Sequence, residues 1–234
     1  KCVTEEFIET AASVGSETLE KKYSLGVSSA TIRNEMAVLT KLGYLKKNHL
    51  SAGHTPTSLG LKYYVRNLMS PKGLSVVEEL GVKEKVWDYR NEFEKLLREI
   101  TRELANRTRS LALSTIDQGV IYSYGASNLL EEPEFFNIDV AKTALSLVDN
   151  TKFWFDIISK SRAVPEAEEK QTVHLLIGED LGLEHLEPCG FIYQDYQAGP
   201  HRGILGVLGP ARFRYPNIIP IIDYFAELVS TITH

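Results

Sequence analysis

Cysteine is scarce: Cys2 and Cys189 are the only two in 234 residues. Two distant thiols cannot build a disulfide framework or a cysteine-based zinc site. A reducing, cytoplasmic setting is therefore expected. No run of about 18 uncharged apolar residues occurs, so no membrane-spanning helix and no membrane partner is expected. The first residues lack the charged, apolar and small-residue sections of a secretory signal. Lys1 rather than Met opens the sequence, as expected of a processed or trimmed terminus. There is no P-loop and no nucleophile elbow. Internal repeats and low-complexity tracts are missing too. Neither an enzyme nor a cofactor is expected.

Positive charge is short overall, with a net charge of −5, but it is unevenly spread. Residues 1–70 hold 9 Lys and Arg against 6 Glu, and the remainder holds 17 against 25 acids. Between 27 and 70, 6 basic residues face one acid, Glu35. A basic patch on a small module is the footprint of a nucleic-acid reader, because its cations displace counterions condensed on phosphates. An ordinary solvated surface gives the same count.

Residues 3–12 read as the end of a helix, with Phe7, Ile8 and Ala11 on one face. Ser16 is placed to cap a short helix, SETLEKKY. Gly26 supplies a turn. Ser28 caps a third helix over 29–42, with Ile32, Met36, Leu39 and Leu42 as its apolar stripe and Gly43 as its stop. Residues 44–47 have strand character, and a Ser, Gly, Thr and Pro-rich loop follows. Thr57 or Ser58 opens a helix that ends before Pro71. This order is the layout of a winged helix-turn-helix over 1–70.

The fold class is expected to be α+β. Residues 71–116 read as a linker (71–82) and a long connecting helix (83–116). Phe93, Leu97, Ile100, Leu104, Thr108 and Leu111 approach a heptad seam in that helix. At ~1.5 Å per residue it would be about 50 Å long, suited to a dimer seam or to lying across a sheet. Residues 117–234 read as a reduced antiparallel sheet with helices on one face. Strands are expected at 119–125, 172–178, 189–196 and 203–209, and helices at 140–160 and 216–233.

A helix-turn-helix lays its second helix in the major groove, and the first turns meet base edges. Here those residues are Ser28, Ser29, Ala30, Thr31, Ile32, Arg33 and Asn34. Hydroxyls take either hydrogen-bond role, Arg33 matches guanine bidentately, and Asn34 matches adenine. The alternative for Arg33 is a surface ion pair. In the wing, Lys46, Lys47, His49 and His54 flank a loop whose backbone amides and Ser51 hydroxyl suit phosphates.

These residues carry a resemblance. VGSETLEKKY, GVSSATIRNEMAVLTKLGYL and HLSAGHTPTSLGLKYYV resemble the heat-inducible transcription repressor HrcA family, as do YGASNLLEEPEF, LLIGED and GILGVLGPARFRYP downstream. The resemblance implies a winged-helix domain followed by a GAF-like domain. It also implies a homodimer on double-stranded DNA carrying an inverted-repeat operator (the CIRCE element) upstream of chaperone genes. A GroE chaperonin is the implied partner. The sequence departs from the family pattern at His54, which stands where Arg is usual, and at Leu61 and Lys62, which replace Tyr and Arg. A large block between the long helix and Gly119, including an inserted dimerisation domain, is missing, so the GAF-like part of 117–234 is expected to be incomplete.

An alternative is a ligand- or chaperone-binding regulatory module with weakened DNA binding. Gly203, Gly206 and Gly209 lack dinucleotide-site spacing and open no helix. His174, His185, Cys189 and His201 lack paired metal-ligand spacing, so no metal is expected. Glu131, Glu132 and Glu134, and the group Glu166, Glu168 and Glu169, read as solvated. Tyr63, Tyr64 and Phe213 read as core rather than base-stacking residues.

Overall fold

A computed structural model describes residues 1–47, 53–116, 119–148, 150–163 and 173–232. They form two compact units: Lys1–Ser70 with Arg212–Pro216, and Pro71–Ala211 with Asn217–His234.

The first unit runs α1 (Cys2–Thr10), α2 (Ser16–Tyr23), α3 (Ser29–Lys41), β1 (Leu45–Lys47), β2 (His54–Pro56) and α4 (Ser58–Asn67). Its core gathers Val3, Val14, Leu19, Ile32, Met36 and Leu45. An ion pair ties α1 to α2: Lys22 lies 2.7 Å from Glu6, and the Tyr23 hydroxyl donates to the same carboxylate. The hydrogen bond from Lys22 outweighs burial and holds the Glu6 carboxyl below its usual range. Two details differ from expectation. Gly15, not Ser16, is the N-cap of α2. Leu39 and Leu42 are 37% and 60% exposed, so only Ile32 and Met36 of the expected stripe reach the core.

The second unit runs α5 (Val76–Trp87), α6 (Phe93–Thr108), β3 (Leu111–Ile116), β4 (Val120–Tyr124), α7 (Ala126–Leu129), α8 (Ile138–Ser146) and α9 (Thr151–Ala163). It continues with β5 (Val173–Ile177), β6 (Cys189–Ala198), β7 (His201–Pro210) and α10 (Tyr215–Ile232). The sheet is antiparallel with order β4-β3-β7-β6-β5. Leu113, Phe191, Tyr193 and Leu208 pack on one face with Val140, Ala144 and Trp154 from α8 and α9. On the other face, the Ser114 hydroxyl meets Thr101 of α6 at 2.6 Å. Helices therefore cover both faces rather than one.

The long connecting helix is also corrected. α5 and α6 are separate helices, and 111–116 is a strand in the sheet interior. Ser75 and Glu78 form a capping box that starts α5 inside the expected linker. Arg109 takes the left-handed conformation (φ 49°) and ends α6. Every residue of β3 is buried, so the strand shows no polar alternation and its sequence reads as more helix. The single expected helix at 140–160 is two, α8 and α9.

Candidate nucleic-acid interface

The turn between α2 and α3 is built by Ser24 and Gly26, both at positive φ (43° and 71°). Ser28 then caps α3: its hydroxyl accepts from the Thr31 amide at 3.3 Å and lies 3.1 Å from the Thr31 hydroxyl. Ser28 thus sets where the helix begins. At the far end, Gly43 (φ 81°) closes α3, with its amide donating to Thr40 and the Tyr44 amide donating to Leu39. This is a Schellman arrangement. Thr57 caps α4 by accepting from Gly60, and its hydroxyl donates to the Gly43 carbonyl at 2.6 Å. The two ends of the helix are therefore held by the fold.

With Ile32 and Met36 buried, α3 shows its opposite face to solvent. Ser28, Ala30, Thr31, Arg33 and Asn34 are exposed, and Ser29 is half-buried. Five of the expected base-reading positions are brought together on one turn and a half of helix. Leu25 and Val27, 41% and 47% exposed, stand in the turn before α3. The sequence reading missed them, although apolar residues flanking a turn glycine are a visible signal.

The strands β1 and β2 form an antiparallel ribbon with Lys46 opposite Thr55 and Lys47 opposite His54. Lys46 and Lys47 are both exposed. His49 and Ser51 lie outside the described residues. His54, expected as a phosphate contact, pairs through its backbone with Val14. It is only 6% exposed, its backbone exchanges both hydrogen bonds with Val14, and burial, helped by Lys47, holds its imidazole below 6.5. Of the residues read as possible stacking groups, Tyr64 and Phe213 are buried, whereas Tyr63 is 44% exposed and packs on the Tyr44 ring at 5.2 Å.

In the second unit a shallow cleft of about 420 Å³ is lined by Glu92, Phe93, Glu94, Lys95, Ile116 and His201. Phe93 and His201 stack at 4.5 Å. Among the described residues no cluster of His, Cys, Asp and Glu is arranged to hold a metal. No helix among them is long and apolar enough to cross a membrane.

A family model described as the HrcA protein C-terminal domain matches residues 66–219, more than half of the chain. The chain belongs to the HrcA family. The heat-inducible transcription repressor HrcA of Carboxydothermus hydrogenoformans is 25% identical over 331 residues, covering 98% of this chain and 95% of the relative. That of Pelotomaculum thermopropionicum is 27% identical over 331 residues, covering 98% and 93%. Both alignments are longer than the 234 residues of this HrcA family member, so the relatives hold residues without a counterpart here. A crystal structure of a hypothetical protein shares the fold with a TM-score of 0.72 at 17% identity, covering 99% of this chain and 95% of that one.

Proposed function

We propose that the chain represses transcription of heat-shock genes by binding double-stranded operator DNA through its first unit, acting as a winged helix-turn-helix. The observation that carries this reading is the face of α3. A helix capped at both ends presents Thr31, Arg33 and Asn34 to solvent, and the neighbouring ribbon carries exposed Lys46 and Lys47. Those groups divide the labour of a DNA reader: Arg33 and Asn34 match base edges, and the lysines match phosphates. The names of the relatives favour the same reading.

In this proposal residues 1–70 are the DNA-binding domain. The remainder is a regulatory part built on a reduced GAF-like sheet. The partners are an inverted-repeat operator, a second copy of the chain and a GroE chaperonin, in the cytoplasm. His54 is left out of the contact set because it is buried.

The test is a fluorescence-anisotropy titration of the full chain against an inverted-repeat operator and a scrambled duplex. The operator is expected to bind more tightly. Arg33→Ala is expected to weaken operator binding by about 1–3 kcal/mol, the worth of one bidentate base contact. Equal, weak binding to both duplexes would overturn the reading in favour of a ligand- or chaperone-binding module.

A further inference from the structure

The turn that leads into α3 holds two apolar side chains in water. Leu25 is 41% exposed and Val27 47%. Single exposed apolar residues are ordinary on a surface, so position decides what these mean. Val27 directly precedes the cap Ser28, where an apolar residue can staple onto the fourth helical residue, here Ile32. Ile32 is 5% exposed, yet Val27 keeps almost half of its surface in water. The core therefore leaves Val27 available at the start of the helix.

Helical geometry sets what lies beside it. At ~100° per residue, Ala30 and Asn34 fall within about 40° of one another and about 160° from the edge formed by Ile32 and Met36. Arg33 and Thr31 flank them by about 80° on either side. Ala30 thus stands at the centre of the solvent-facing side, one turn before Asn34, and is itself exposed. The cap fixes this placement: Ser28 holds φ −68° and ψ 156°, and its hydroxyl accepts from the Thr31 amide. A face otherwise made of hydrogen-bonding groups therefore opens on a valine and an alanine.

We propose that Val27 and Ala30 form an apolar ledge that reads the 5-methyl group of a thymine in the operator, beside the bases matched by Arg33 and Asn34. The ledge acts only if the first unit reads DNA, so it rests on that reading. In the major groove the base edges offer hydrogen-bond donors and acceptors and one methyl group, that of thymine. A donor or acceptor pressed against Val27 or Ala30 loses water and gains no partner. The thymine methyl loses nothing there and is itself removed from water. Arg33 and Asn34 match purines, and the ledge adds a distinction they do not make, thymine from cytosine.

The test is a fluorescence-anisotropy titration of the full chain against the inverted-repeat operator, with deoxyuridine replacing one thymine at a time. The exchange removes a methyl group and leaves every hydrogen-bonding group and charge in place. The parent is expected to lose about fourfold in affinity at one thymine of a half-site, the worth of one buried methyl group. Val27→Ala and Ala30→Ser are each expected to bring that ratio below about twofold. Circular dichroism of both variants is expected to match the parent, since both residues are exposed. Operator preference without methyl sensitivity at any thymine overturns the ledge and leaves DNA recognition standing. A ratio of about fourfold kept in both variants, with affinity lowered for every duplex, also overturns it and assigns the two residues to the start of α3. A ratio kept in one variant alone removes that residue from the ledge. Equal, weak binding to operator and scrambled duplex overturns the reading of the first unit itself, and the ledge with it.

Discussion

His54 changes meaning once its surroundings are known. In the sequence it stands in a polar loop among lysines; in the fold its ring is buried and its backbone is paired with Val14. Burial, with Lys47 nearby, depresses its pKa below 6.5. In the unfolded chain it titrates at its ordinary value. Well above that ordinary value both states are neutral at this position and the full stability is present. As pH falls below 6.5 the unfolded chain takes up a proton that the fold resists, so stability is lost. Urea unfolding followed by circular dichroism should therefore show a lower midpoint at about pH 5.5 than at about pH 7.5. His54→Leu should shrink that difference. An unchanged difference in the variant would assign the pH effect elsewhere. Ser28 is a second residue whose role narrows. Its hydroxyl is engaged with Thr31 at the start of α3, so it positions the helix while Arg33 and Asn34 face solvent.

Among the elements, α6 and β3 show how a strand hides in a sequence. Leu111 continues the apolar spacing of α6, and LALSTI is buried throughout, so no period-two signal marks the change. The structural mark is Arg109 in the left-handed region, which a sequence does not announce. The junction between the two elements is held by a buried hydroxyl pair. Thr101 donates to the Leu97 carbonyl, leaving the Ser114 hydroxyl to donate to Thr101. Thr101→Val leaves Ser114 without that acceptor and should cost about 1–3 kcal/mol in denaturant unfolding. Thr101→Val with Ser114→Ala should cost less than the sum of the single changes. Strict additivity would show that the pair does not couple α6 to the sheet. By contrast, β6, β7 and α3 were legible: turn residues bracket the strands, and Ser28 and Gly43 bracket the helix.

At the scale of the whole molecule, charge is divided between a basic stretch and an acidic remainder. If the basic stretch holds phosphates, binding must weaken with salt, and each lost contact should reduce the slope of log K against log salt by about 0.9. Lys46→Ala and Lys47→Ala should each lower the slope without changing the preference for operator over scrambled duplex. A slope that stays constant in both variants would remove the ribbon from the interface. The fold of the second unit was less readable than this charge pattern. Four of its five strands could be anticipated, but the missed one, β3, lies between β4 and β7 and organises the sheet.

The sequence by itself determined the local features: the cap at Ser28, a helix start at Thr57 or Ser58, the stop at Gly43, the turn at Gly26 and the basic cluster between 27 and 70. Each depends on a side chain or backbone preference acting within a few residues. Tertiary structure decided which side of each element meets water. It buried His54, exposed Leu39 and Leu42, and converted 111–116 into an interior strand. Burial is set by what lies opposite in space, and contacts between residues far apart in the chain leave no periodic trace in the sequence of either partner.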